Sequence, residues 1–135
     1  IGESVAVFKR HQRRFPDAGI FYAPQHNLDE ATNIVQAVTT SHLYVPAGEQ
    51  ACKFVSGQIP CSSTFYNSKA IKWAGHYSMD FKYSADEEYN CRIVQKFDIV
   101  RMDTVIAGYR RHSGHLMLQT WLKPDFFESF FKCFK

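Results

Sequence analysis

Ser84-Ala85-Asp86-Glu87-Glu88-Tyr89-Asn90-Cys91-Arg92 combines a helix-start signal with apolar residues at helical spacing. Ser84 and Glu87 have the spacing of a capping box, and Ala85, Tyr89 and Ile93 recur four apart on one face, so a helix is predicted over about 84–95. Glu88 and Arg92, also four apart, can pair on its surface. Asp86, Glu87 and Glu88 fall in the first turn, where unpaired backbone N–H groups and the helix dipole favour negative charge. Phe97 to Ala107 is β-rich, and a polar loop, Arg110 to Gly114, follows it.

Toward the N-terminus the same alternation recurs. Ile1, Val5 and Phe8 have helical spacing, and Phe15-Pro16-Asp17-Ala18-Gly19 ends that first amphipathic helix. Ile20-Phe21-Tyr22-Ala23 reads as a strand, a polar stretch runs through Glu30, and Ile34 to Thr40 is β-branched enough for a second strand. Glu49 to Val55 predicts a short helix closed by Gly57, and Ile59 to Tyr66 an extended segment. Asn67 is placed to cap a helix over Ser68 to Ala74 that Gly75 ends. Pro124 opens a last helix whose Phe126, Phe127, Phe130, Phe131 and Phe134 share a face suited to a core or to a membrane surface. Helices alternating with strands define an α/β class.

At 135 residues and 45% hydrophobic composition, the chain reads as a single domain spanning 1–135. Twelve Phe, seven Tyr and two Trp exceed what a core of this size usually needs, so some are expected to cover a partner or a further piece of protein. The net charge of +3 is spread along the chain, which argues against a nucleic-acid partner. Its one dense basic cluster, Lys9-Arg10-His11-Gln12-Arg13-Arg14, reads as a solvated helix face or a contact for an anionic surface. Cys52, Cys61, Cys91 and Cys133 form no C-x-x-C pair and read as reduced thiols of a cytoplasmic protein. No apolar run is long enough to span a bilayer, and the chain begins with Ile1 in place of Met, as a processed chain or a fragment would.

Two groups of residues can carry chemistry. Asp86, in a helix first turn, can serve as a general base on a hydroxyl, although the three carboxylates are also simply good first-turn residues. Arg110 and His112 flank Arg111 in the loop after the β-rich segment. There arginine can grip a phosphate with two donors and a neutral imidazole can bind a divalent cation, or the loop is a solvated basic turn.

Gly75-His76-Tyr77, the Ser84–Arg92 stretch, and Tyr109-Arg110-Arg111-His112-Ser113-Gly114 together resemble the C-terminal, acceptor-side half of the family 2 glycosyltransferases of the GT-A fold. That family shows a glycine-aromatic turn, an acidic helix start and an arginine-histidine loop in this order. The opening helix through Ile20-Phe21-Tyr22 is similar to the segment after the family's D-x-D motif, so the resemblance covers nearly the whole chain. It implies a partial GT-A mixed sheet with flanking helices and an inverting sugar transfer from a nucleotide sugar to a polysaccharide or lipid-linked acceptor. Asp86 would be the base, Arg110 and His112 would contact the diphosphate or its Mn or Mg ion, and Glu88 and Arg92 would shape the acceptor pocket. Pro60 to Tyr66 would be a strand near the acceptor, with Ser62 and Thr64 as hydroxyl contacts. The implied setting is the cytoplasm, peripheral to the inner face of the membrane.

The sequence departs from the pattern at two points. Ser78 stands where many relatives carry aspartate, and no D-x-D occurs. The expectation is therefore a portion of a longer transferase, with a catalytically inactive carbohydrate-binding or protein-interaction module as the alternative.

Overall fold

The computed structural model describes residues 2–38, 44–55, 58–81 and 83–114, together with Pro124, Asp125, Glu128 and Lys132. Its centre is β1 (Ala18–Tyr22), all five residues of which are buried. β1 lies parallel to β6 (Asp98–Arg101) and antiparallel to β5 (Thr64–Tyr66), and β4 (Tyr44–Val45) borders β6 antiparallel, in the order β4-β6-β1-β5. A second mixed sheet has the order β3-β2-β7, with β2 (Gln25–Leu28) antiparallel to β3 (Ile34–Val38) and parallel to β7 (Ala107–Arg110). Four helices flank these sheets: α1 (Gly2–Arg14), α2 (Glu49–Val55), α3 (Ser68–Ala74) and α4 (Ala85–Val94). The chain is thus a mixed α/β protein.

Strand alternation divides the core in two. Ile20, Tyr22 and Ile99 join Ala51, Val55, Ala70, Tyr89, Ile93 and Val94 beneath α2, α3 and α4. Phe21, Ala23, Val100 and Met102 face the other way and meet Val7 of α1, with Phe8, Phe15 and Phe65 packed around them. Ala18 has the parity of Ile20 yet joins the α1 side, because the β1–β6 register shifts between those two residues. Burying a side chain such as Ile20 or Phe21 stabilises the fold by roughly 1.5–3 kcal/mol.

The local signals explain most boundaries. The Asn67 side chain accepts from the Lys69 N–H at 3.1 Å to cap α3, and Gly75, at φ 75°, donates its N–H to the Ile71 carbonyl at 2.9 Å to end it. Ser84 stands at the N-cap position of α4, and its carbonyl accepts from Glu88 N–H at 3.0 Å. The expected capping box does not form through Ser84, whose side chain makes no cap hydrogen bond. At φ −126° and ψ 32° it lacks the extended backbone that aims a cap side chain at the helix N–H groups.

Several expectations are corrected. The polar stretch before Glu30 contains β2, whose Gln25 and Asn27 are buried and bond through side chains, Asn27 donating to Gln36 at 3.0 Å. Pro60 to Tyr66 is not one strand. Pro60 leads into a 3-10 turn, Cys61–Ser63, and only Thr64–Tyr66 pairs with β1. The turn is held by Ser63 Oγ donating to the Ala23 carbonyl at 2.7 Å and Thr64 Oγ1 to the Pro60 carbonyl at 2.7 Å. Arg110 ends β7 and does not begin a loop. Thr39, Thr40, Gly57 and the phenylalanine face of the last helix lie outside the described residues. Among the described residues no helix is long and apolar enough to cross a membrane.

Candidate functional site

Asp86 is half-buried on the first turn of α4, and its charge acts on the exposed Cys61 thiol of the 3-10 turn. Desolvation pushes the Cys61 thiol up, and the Asp86 carboxylate pushes it further, so the arrangement disfavours a thiolate nucleophile. Tyr66 closes the next side, its hydroxyl donating to Asn90 Oδ1 at 2.9 Å. Burial first, then Tyr77, Cys61 and Asp86, hold its phenol far above the usual value. The Tyr66 ring meets Tyr89 edge-on at 5.5 Å and the Tyr77 ring stacks on Tyr89 at 4.3 Å, so the two phenols share one neighbour. The result is a carboxylate in a recess walled by a thiol and tyrosines, suited to accepting a hydrogen bond from a neutral hydroxyl.

α4 positions this recess because its inner face is fixed. Tyr89, Ile93 and Val94 are buried, and Asn90, one turn after Asp86, is buried with them. The β5 alternation sends Phe65 toward Phe8 at 4.9 Å and Tyr66 toward Tyr89 at 5.5 Å.

The remaining predicted residues divide between structure and surface. Glu88 and Arg92 do pair: Arg92 Nε donates to Glu88 Oε1 at 2.5 Å and Nη2 to Oε2 at 2.9 Å. Arg92 also donates to the Ala74 carbonyl and, at 2.8 Å, to that of His76, so the pair secures the turn after α3. Ser62 donates to Gln25 Oε1 at 2.6 Å. Ser62 and Thr64 line a cleft of about 280 Å³ with Ser4, Val5, Phe65 and Ile106, a lining that does not include Asp86. Arg110 and His112 are exposed. β7 packs against the 3-10 turn, but its Ala107 end is the one beside Gln25, while Arg110 stands opposite Leu28, roughly 10 Å further along the strand. The structure thus gathers Asp86, Cys61, Tyr66 and Tyr77, and carries Arg110 and His112 outward on the neighbouring sheet.

Cys61, Tyr66, Tyr77 and Asn90 escaped the sequence reading. The Asp86–Asn90 spacing of one helical turn was a usable signal for Asn90; nothing in the sequence pairs Cys61 with Asp86, because that contact joins segments 25 residues apart. Among the described residues no three His, Cys, Asp or Glu side chains converge to hold a metal ion, so His112 is not joined there by the further ligands a divalent cation would need.

No protein-family profile and no curated protein sequence matches this chain.

Proposed function

We propose that the chain is the acceptor-side portion of an inverting glycosyltransferase of GT-A type, transferring a sugar from a nucleotide sugar to a polysaccharide or lipid-linked acceptor. The observation that carries this reading is the half-buried Asp86 carboxylate at the start of α4, one turn before buried Asn90, which accepts from the Tyr66 hydroxyl. In this role Asp86 accepts the proton of an acceptor hydroxyl as that oxygen attacks the anomeric carbon. The bond from that carbon to the diphosphate breaks on the opposite face and its electron pair leaves with the diphosphate. The mixed sheets with flanking helices agree with the α/β class that the motif resemblance implies. Arg110 and His112, both exposed, are the residues that the motif resemblance assigns to the diphosphate of the donor. The exposed Lys9, Arg10, Arg13 and Arg14 of α1 suit an anionic membrane surface near a lipid-linked acceptor.

The test is Asp86→Asn in the full-length protein. Turnover is expected to fall by about 10²–10⁴ with nucleotide-sugar affinity nearly unchanged, because the base acts on the acceptor. Turnover comparable to wild type removes Asp86 from the reaction. If 135 residues is the natural length, the absence of D-x-D favours a second reading, a carbohydrate-binding or interaction module without catalysis, which predicts glycan binding and no transfer by the wild-type protein.

A further inference from the structure

We propose that Tyr77 is a stacking platform for one pyranose ring of the acceptor glycan, set at the mouth of the Asp86 recess; the identity of that glycan as an acceptor rests on the transferase reading above. Tyr77 is 47% exposed, yet it is not a loosely held surface ring. One face lies on Tyr89 at 4.3 Å with the planes 15° apart, and Tyr66 meets the same Tyr89 ring edge-on at 5.5 Å. Tyr89 is itself fixed, 3% exposed and donating its hydroxyl to the Gly75 carbonyl at 3.1 Å. The Arg92 guanidinium lies over the Tyr89 ring at 5.1 Å and grips the carbonyls on either side of Gly75. Gly75 holds φ 75°, a conformation that a side chain would strain. The segment that carries Tyr77 is therefore tied down by two residues of α4. A ring held in one orientation before a ligand arrives loses little entropy when it is covered.

The chemistry around the ring selects the ligand. An aromatic surface bordered by a carboxylate and a phenol complements a molecule with an apolar C–H face and hydroxyl groups around its edge, which describes a pyranose. A nucleotide could stack as well, but its phosphates would meet the carboxylates of Asp86, Glu87 and Glu88. A quaternary ammonium ion would meet the charge of the Arg92 cation, 5.1 Å from the Tyr89 ring. Asp86 lies one turn before Tyr89 on α4, and Tyr77 stacks on Tyr89, so a sugar on Tyr77 would lie near the base.

The experiment is saturation-transfer NMR of the chain with neutral disaccharides (chitobiose, cellobiose, maltose and mannobiose), comparing wild type with Tyr77→Phe, Tyr77→Leu and Tyr77→Ala. Expected is transfer to the ring C–H protons of at least one disaccharide, retained in Tyr77→Phe and lost in Tyr77→Leu, which keeps apolar bulk without a flat face, and in Tyr77→Ala. No transfer from any of the four sugars, or transfer undiminished in the Leu and Ala variants, overturns the platform. In the full-length protein Tyr77→Ala is expected to raise the acceptor KM about tenfold with the donor KM unchanged. An active transferase whose acceptor KM does not move overturns the platform and leaves the transferase reading standing. Tyr77-dependent sugar binding by a protein that transfers nothing keeps the platform and removes that reading.

Discussion

Arg92 meets Glu88 through two parallel hydrogen bonds, Nε to Oε1 at 2.5 Å and Nη2 to Oε2 at 2.9 Å, one turn apart on α4. This is more than a surface i,i+4 pair. The Glu88 side chain is only 13% exposed, and the same guanidinium also binds the carbonyls of Ala74 and His76. A lysine has a point charge and cannot hold a carboxylate by a fork while reaching two carbonyls. Arg92→Lys is therefore expected to destabilise the fold, and Arg92→Ala to cost about 2–3 kcal/mol, since it leaves Glu88 half-buried without its cation. Urea denaturation measures both. A loss below about 0.5 kcal/mol for Arg92→Ala would place the pair among ordinary surface ion pairs.

Gly19 lets α3 and α4 approach β1. A Cβ built there would stand 2.5 Å from Phe97 Cβ, 2.8 Å from Ile93 Cγ2 and 3.0 Å from Ala70 Cβ. Two of those three atoms are themselves Cβ atoms, fixed to backbone, so no rotamer change relieves the overlap. Gly19→Ala is expected to destabilise by about 1–3 kcal/mol, read as a lowered Tm. An unchanged Tm would mean that the helices separate from the strand at no cost.

Asn67 joins α3 to the start of β1. Its Oδ1 accepts from Lys69 N–H, while Nδ2 donates to the Ala18 carbonyl at 3.2 Å from a buried position. Asn67→Ala removes the cap and strands the Ala18 carbonyl, an expected loss of about 1–2 kcal/mol. Asn67→Asp keeps the cap but lacks the donor and should fall between the two. Equal stability for the Ala and Asp variants would show that capping contributes nothing here.

The elements that the sequence announces are those with local causes. α3 has a capping asparagine at one end and a glycine at the other, and α4 has apolar positions four apart; both appear within a residue or two of expectation. β2 was missed because Gln25 and Asn27 are buried polar residues that satisfy one another and their neighbours, a pattern that hydropathy reads as loop. The Cys61–Ser63 turn was missed because hydroxyl bonds to backbone carbonyls override an extended tendency. The place of Asp86 in a helix first turn was legible. Its neighbours were not, since Cys61, Tyr66 and Tyr77 reach it only after β5 and the turn after α3 are packed against α4. Glu88 and Arg92 were legible as a pair, but their grip on the Ala74–His76 backbone has no sequence signature.

The tyrosine wall of the recess gives the fold an alkaline limit. Burial raises the Tyr66 phenol, with Tyr77, Cys61 and Asp86 adding to it, and burial together with Tyr77 raises that of Tyr89. The Cys61 thiol is raised as well, by burial and then by Asp86. Each group therefore holds its proton more tightly in the folded chain than in the unfolded one. Their contribution to stability is complete below the ordinary values of 9.0 for a thiol and 10.0 for a phenol, and it is lost as the pH rises beyond them. Lysines also titrate in that range, so the wild-type curve alone does not isolate the effect; Tyr66→Phe does. The variant loses the hydrogen bond to buried Asn90 and should be less stable at neutral pH by about 1 kcal/mol. Having no phenol to ionise, it should decline less steeply above pH 10, so the gap between the two proteins narrows with rising pH. Urea midpoints across that range, with ultraviolet absorbance of tyrosinate followed in parallel, read both quantities. A gap that stays constant would mean that Tyr66 ionises as readily in the folded chain as in the unfolded one, and would remove it from the wall of the recess.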